Sequence, residues 1–259
     1  MNAGGGGIGE RLKYVTRRYV HALTARPADW ADPAWTGGMT MAVAFIVFLI
    51  LAVHPYDEFL SRTFTADDHP MRNLRYVTDI GLSKWYVVPA FSIAVCLIAI
   101  DWKSLPPSRS ARLAIVYSQA TYAFWAISAA GTLTAIVKYL IGRARPAFID
   151  SWGTGYFSPF AGGDDWASFP SGHSTTMGAV GCILALWFPR WRLPILLATM
   201  GIAFTRLIAR AHYPTDIIAG YSVGFFVAIA MARFLANRRI GFRARKARLW
   251  PAVRRGQLH

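Results

Sequence analysis

Apolar residues fall in long runs along this chain, separated by short polar, charged or proline-containing stretches. Six runs qualify as candidate spans. The first lies within residues 35–53 and carries no charge, the second covers about 82–100, and the third, the longest, about 113–137. The fourth covers about 172–188, the fifth about 193–209 and the sixth about 215–235. A hydrocarbon core about 30 Å thick calls for roughly 20 helical residues, so the fourth and fifth runs are short for the task. Trp30, Trp35, Trp85, Trp102, Trp187 and Trp191 sit near the proposed ends, where an interfacial aromatic belt would place them. The pattern predicts an all-α, polytopic membrane helical bundle of about six transmembrane helices, with no internal repeat.

Composition supports that class. Hydrophobic residues make up 54% of the 259 residues, above the usual share for a soluble domain. Net charge is +15, and the cations crowd the ends. Arg11, Lys13, Arg17, Arg18 and Arg26 precede the first run, and from Arg233 onward there are cations and no acids. Residues 103–112 and 190–192 are also purely cationic, whereas 54–84 and 148–166 carry most of the acids. The positive-inside rule then places both termini in the cytoplasm, in keeping with an even number of spans of the cytoplasmic (inner) membrane. The division that follows is a basic cytoplasmic segment over 1–36, a membrane domain over 37–236 and a basic cytoplasmic tail over 237–259. The tail reads as a surface or disordered segment that adds little to the fold. Contact with anionic lipids explains the basic ends; a nucleic-acid reader is absent from the sequence. The first apolar run begins near Met39, too late for a cleaved leader, and reads as a retained anchor. Cys96 and Cys182 lie inside apolar runs and read as small core residues, neither a disulfide nor a metal pair.

The candidate chemistry sits where the runs end. Lys138 and Arg145 follow the third run; seven positions apart, about two turns, they share a face if the segment is helical. Pro146 then redirects the chain. Arg143, between them, reads as an interfacial cation with no assigned role. Pro170-Ser171-Gly172-His173 opens the fourth run. There Ser171 suits a helix N-cap, Gly172 lets backbone approach a ligand, and the free N–H groups of the helix start favour an anion. Arg206 closes the fifth run, and His212 and Asp216 open the sixth around Pro214. Asp216 is expected to accept an imidazole N–H of His212 and raise the basicity of its other nitrogen, while Arg206 offers a planar donor fork. All these clusters map to the extracytoplasmic side. Cations for an oxyanion, two imidazoles and a carboxylate suit phosphoryl transfer, and in a membrane bundle the phosphate belongs to a lipid. Zinc spacing, a Walker loop and a dinucleotide fingerprint are all missing. Asp164 and Asp165 read as a solvated acidic loop in preference to a cation site.

These motifs resemble the type 2 phosphatidic acid phosphatase superfamily of membrane lipid phosphatases. Its signature has a Lys, six residues and Arg-Pro, matched by Lys138, Arg145 and Pro146. Its Pro-Ser-Gly-His is matched by Pro170 to His173, and its Ser-Arg, five residues, His, three residues, Asp by Arg206, His212 and Asp216, with Thr205 in place of the Ser. The resemblance implies a bundle with a core like that of the vanadate haloperoxidases. It also implies a catalytic set of His212, His173 and Asp216. His212 would attack phosphorus and form a phosphohistidine, Asp216 would orient it, and His173 would protonate the leaving oxygen. Lys138, Arg145, Ser171, the Gly172 amide and Arg206 would bind the phosphate. Neither a cofactor nor a metal is required on this reading. Candidate substrates within the family are undecaprenyl diphosphate, phosphatidylglycerol phosphate, phosphatidate and lipid A phosphates, with headgroup choice assigned to residues 54–84 and 148–166. Transfer of phosphate to another lipid would use the same nucleophile. Vanadate-dependent halide oxidation is the third reading, disfavoured by the apolar spans, and a non-catalytic transporter or scaffold the fourth. Oligomeric state and route of substrate entry are open.

Overall fold

The computed structural model describes residues 7–24, 27, 32–64, 72–102 and 104–254. Among them are nine α-helices and one small β-pair. In chain order the helices are α1 (Ile8–Thr24), α2 (Gly37–Val53), α3 (Asp57–Phe64), α4 (Lys84–Ile98), α5 (Pro107–Ile141), α6 (Ile149–Trp152), α7 (Gly172–Trp187), α8 (Arg192–Ile208) and α9 (Pro214–Asn237). Strands β1 (Phe242–Arg243) and β2 (Ala252–Val253) pair antiparallel. Single-turn 3₁₀ segments at His54–Tyr56, Pro146–Phe148 and Pro189–Trp191, and a longer one at Arg72–Gly81, link the helices.

Five of the described helical stretches are long and apolar enough to cross a membrane: Gly37–Phe64, Tyr76–Ile98, Pro107–Ile141, Pro189–Ile208 and Pro214–Asn237. The expected fourth span, α7, is shorter than these and stands apart in its burial. Helix α7 has 16 residues, roughly 24 Å at the α-helical rise, and it is buried on nearly every face. It behaves as a central post packed by other helices. Its apolar run therefore reflects burial in protein, which sequence hydropathy reads in the same way as burial in lipid. By contrast Phe45, Phe48 and Leu51 of α2 are exposed, as lipid-facing residues are. Trp85 and Trp191 are exposed near span ends, in keeping with an interfacial belt; Trp30 lies outside the described residues.

The chain divides into two compact units. One comprises residues 36–85 and 126–228 and contains every candidate site residue. Its centre is α7, which touches its neighbours backbone to backbone. A Cβ on Gly178 would lie 2.0 Å from the Tyr221 carbonyl oxygen, and one on Gly224 1.9 Å from that of Thr175. Any larger residue there would force α7 and α9 apart.

The other unit comprises residues 1–35, 86–125 and 229–259. Here the tail departs from expectation, because it folds. Phe242 is fully buried with its ring edge-on to Tyr122, and Gln119 Nε2 donates to the Gly241 carbonyl at 2.8 Å. Arg233 donates to the carbonyls of Pro33, Ala34, Arg248 and Leu249, and Arg238 Nε to that of Leu23 at 2.6 Å. The arginines of this region are thus partly structural, crosslinking backbone that would otherwise lack donors. Of the two cysteines, Cys182 is buried as expected, and Cys96 is exposed on α4.

Candidate active site

The site begins where α5 stops. Gly142 adopts φ +61, and its N–H caps the helix on the Lys138 carbonyl at 2.8 Å. A Cβ at Gly142 would lie 1.8 Å from the Ser158 carbonyl oxygen, so both conformation and space demand glycine here. The turn leads into a short bridge between Arg143 and Phe157, closed by Ala144 N–H on the Tyr156 carbonyl at 3.1 Å. It holds three cations in sequence, Lys138, Arg143 and Arg145, at the end of one helix.

Residues 164–168 then fold back across them. Arg145 donates its amide to the Asp165 carbonyl at 3.0 Å and its Nε to that of Asp164 at 2.6 Å. Lys138 Nζ donates to the Ala167 carbonyl. Ser171 caps α7 with its side chain accepting from Ser174 N–H at 3.4 Å, and it is fully buried. Its hydroxyl also accepts from Ser174 Oγ at 2.9 Å, which leaves its own hydrogen to donate. Lys138 lies beside the start of α7: its Cε would be 4.0 Å from a Cβ on Gly172. His173, one residue on, packs against Gly81, where an added Cβ would come within 3.1 Å of the His173 Cβ.

Helix α8 delivers Arg206 and then breaks at Arg210, φ 54, into the turn that carries His212. Arg206 donates Nη1 to Thr78 Oγ1 at 3.3 Å, while its Nε is buried with no hydrogen-bond partner. A buried guanidinium donor without an acceptor is costly in isolation and is what an incoming oxyanion satisfies. The charges of Lys138, Arg145 and Arg206 all act on His173, and those of Lys138 and Arg206 on His212. The motif cations therefore converge on both imidazoles.

His212 is 2% exposed, and its Nδ1 lies 2.8 Å from the Ser168 carbonyl oxygen. A carbonyl accepts only, so Nδ1 carries the hydrogen and Nε2 keeps the lone pair. The expected partner, Asp216, is 3.7 Å away at Oδ2: an ion-pair distance, beyond hydrogen-bonding reach. Asp216 works at one remove. Its Oδ2 accepts from Ser168 Oγ at 2.6 Å and from Tyr213 N–H at 2.9 Å, which fixes both the residue whose carbonyl holds His212 and the turn His212 stands on. Burial, opposed by Asp216 and reinforced by Lys138 and Arg206, holds the His212 pKa down to about 3. The imidazole is consequently neutral at physiological pH, with the Nε2 lone pair free of a proton.

Sequence reasoning missed Arg143. Far from being interfacial, it is 2% exposed and bridges two fully buried carboxylates: Nη1 to Asp216 Oδ1 at 2.6 Å and Nη2 to Asp57 Oδ2 at 2.8 Å. It also donates to Thr215 Oγ1 and to the Thr154 carbonyl, and lies 4.3 Å from the Tyr213 ring centroid. Burial opposes its charge, but the two carboxylates outweigh that and raise its pKa above the ordinary arginine value. Asp57 in turn accepts from Thr215 N–H at 3.2 Å and Thr215 Oγ1 at 2.5 Å, tying α3 to the start of α9. The only sequence hint was Arg143's place between two motif cations; its carboxylate partners lie 73 and 86 positions away.

Among the described residues no group of three or more His, Cys, Asp or Glu side chains is arranged to hold a metal ion. The PAP2 superfamily model matches residues 119–240, a span that includes Lys138, Arg145, Ser171, Gly172, His173, Arg206, His212 and Asp216. A lipid A 1-phosphatase of Rhizobium johnstonii is 34% identical over 188 residues, 72% of this chain and 76% of that protein. A protein of the same name from Rhizobium etli is 34% identical over 183 residues, 69% and 77% of the two chains. A transmembrane PAP2-type phosphatidylglycerolphosphate phosphatase from Bacillus subtilis shares the fold, with a TM-score of 0.50 at 19% identity over 74% of this chain and 93% of that one. With sequence relatives, motif spacing and fold in agreement, this chain belongs to the PAP2 superfamily and is a membrane PAP2-type lipid phosphatase.

Proposed function

We propose that the protein removes a phosphate monoester from the sugar of a lipid A-type glycolipid at the extracytoplasmic face of the inner membrane, through a phosphohistidine on His212. The observation that carries the mechanism is the pinned imidazole: Nδ1 is spent on the Ser168 carbonyl, and the charges of Lys138 and Arg206 bear on the ring. The Nε2 lone pair attacks phosphorus as the bond to the leaving oxygen breaks, and His173 gives that oxygen its proton. Water then attacks phosphorus, giving its proton to His173, as the bond to His212 Nε2 breaks and returns the electron pair to the ring, and inorganic phosphate departs. Lys138, Arg145, Arg206, the Ser171 hydroxyl and the Gly172 amide hold the equatorial oxygens, where charge accumulates in the transition state. Asp216 positions His212 through Ser168 and the Tyr213 amide.

The lipid A preference draws on the names of the two relatives. The outward-facing site draws on charge: the segments bordering it hold most of the acids, and the bare cations lie at the other ends of the spans. The test is a panel of lipid phosphates given to detergent-purified protein, with His212→Gln alongside. Free phosphate from a glycolipid monophosphate, lost in the variant, is the expected result. Phosphate appearing on a second lipid instead of in solution would make the enzyme a phosphotransferase, and unchanged release by His212→Gln would remove the nucleophile from the mechanism.

A further inference from the structure

Four aromatic rings cluster on the segments that follow Arg145 and precede Ser168, three of the pairs stacked and Tyr156 tilted 39° from Trp166. Trp152 stacks on Phe148 at 4.9 Å, on Tyr156 at 5.3 Å and on Trp166 at 4.7 Å between centroids, with ring planes 24°, 24° and 21° apart. The rings thus cover part of one another's faces, and the platform is the outer surface of this aromatic stack. It is not sealed: Trp152 is 41% and Tyr156 43% exposed.

Both ends of the platform are fastened to the site. The Phe148 N–H bonds the Arg145 carbonyl at 3.0 Å. Trp166 sits between Asp165, whose carbonyl accepts the Arg145 amide, and Ala167, whose carbonyl accepts Lys138 Nζ. Ser168, which holds His212, follows at once. A group covalently attached to the bound phosphate therefore has the platform within the same chain segment. Asp164 and Asp165 are exposed next to Trp166, and the charge of Asp164 reaches Lys138. Two carboxylates at this edge repel a second phosphate and disfavour an acyl chain. They suit a ring that offers hydroxyl donors at its rim and C–H groups on its face.

We infer that the Phe148–Trp152–Tyr156–Trp166 platform is a subsite for the pyranose ring bearing the scissile phosphate, and so selects sugar-phosphate lipids over glycerol-phosphate lipids. The inference rests on the lipid phosphatase reading given above and adds the residues that choose the headgroup.

The test compares the full-length protein with Trp152→Ala, Trp152→Phe and Tyr156→Ala in mixed micelles. Phosphate release is measured from an acylated glucosamine 1-phosphate lipid and from phosphatidate of matched chain length. Melting temperature is recorded for every variant. Expected is a rise in KM of about 3- to 10-fold on the sugar lipid for the two alanine variants, the range an aromatic stacking contact supplies. KM on phosphatidate should stay within about twofold in every variant, including Trp152→Ala, whose lost ring contacts are expected to lower its melting temperature, and Trp152→Phe should retain most of the preference. Equal losses on both lipids would make the platform a membrane anchor or a structural prop and overturn the inference. So would unchanged kinetics on both, or a wild type that prefers phosphatidate. Failure of the wild type to release phosphate from either lipid would instead sink the phosphatase reading beneath it.

Discussion

Arg143 shows most sharply how single residues divide between chemistry and support. Its guanidinium neutralises Asp57 and Asp216, each fully buried, so removing it strands two carboxylates in a low-dielectric interior. Arg143→Met is expected to lower stability by about 3–5 kcal/mol. Adding Asp57→Asn should recover part of that loss, because one stranded charge is gone. Thermal unfolding in detergent reads both, and an unchanged melting temperature in the single variant would refute the bridging role. His212 makes a second expectation. Its folded pKa of about 3 lies below the ordinary imidazole value, so between those pH values the unfolded chain binds the extra proton and the native one does not. Stability contributed by the neutral ring is therefore full above about pH 6.5 and falls as pH drops towards 3. His212→Gln should flatten that part of the melting-temperature profile; an identical slope in the variant would assign it to other groups. At this scale the motif cations and imidazoles stood out as candidates because their spacing is a local property of the chain. Arg143, Asp57 and Ser168 were not, since each acquires its role from a partner 44 or more positions away.

Elements were legible to the extent that lipid exposure made them apolar. Spans of α2, α4, α5, α8 and α9 follow the hydropathy of the sequence, whereas α7, the short fourth span expected, is apolar because protein surrounds it. Its burial has a consequence that hydropathy does not carry: the N-termini of α7 and α9, which hold His173 and Asp216, are set by glycine contacts between backbones. Gly224→Ala would place a methyl 1.9 Å from the Thr175 carbonyl, and separation of the helices is expected to cost about 1–3 kcal/mol or more. Activity should fall with it, since the site spans both helix starts. Wild-type turnover in that variant would show that the spacing is not critical. The tail makes the opposite point. Charge pattern reads it as solvated, yet Ile240 and Phe242 are buried and Arg233 and Arg238 bind backbone carbonyls. Truncation after Arg239 is expected to lower the melting temperature, because it uncovers Tyr122 and removes two of Arg233's acceptors. A peripheral tail would leave it unchanged.

For the whole molecule, the five apolar spans among the described residues and a charge distribution biased to one set of connections lead to the proposal of a site on the less basic side of the bilayer. In a background of Cys96→Ala and Cys182→Ala, a cysteine at Ala161 should react with an impermeant thiol reagent added outside intact cells, and one at Arg254 should not. The reverse pattern would turn the enzyme over. The proposal that orders all these scales is that His212 takes the phosphoryl group. Its most direct test is acid-free rapid quench of the purified protein with lipid substrate carrying radioactive phosphorus. The wild type should acquire protein-bound label that survives alkali and is lost in acid, as a phosphoramidate is, and His212→Gln should acquire none. Label that persists in His212→Gln, or that survives acid, would contradict the account.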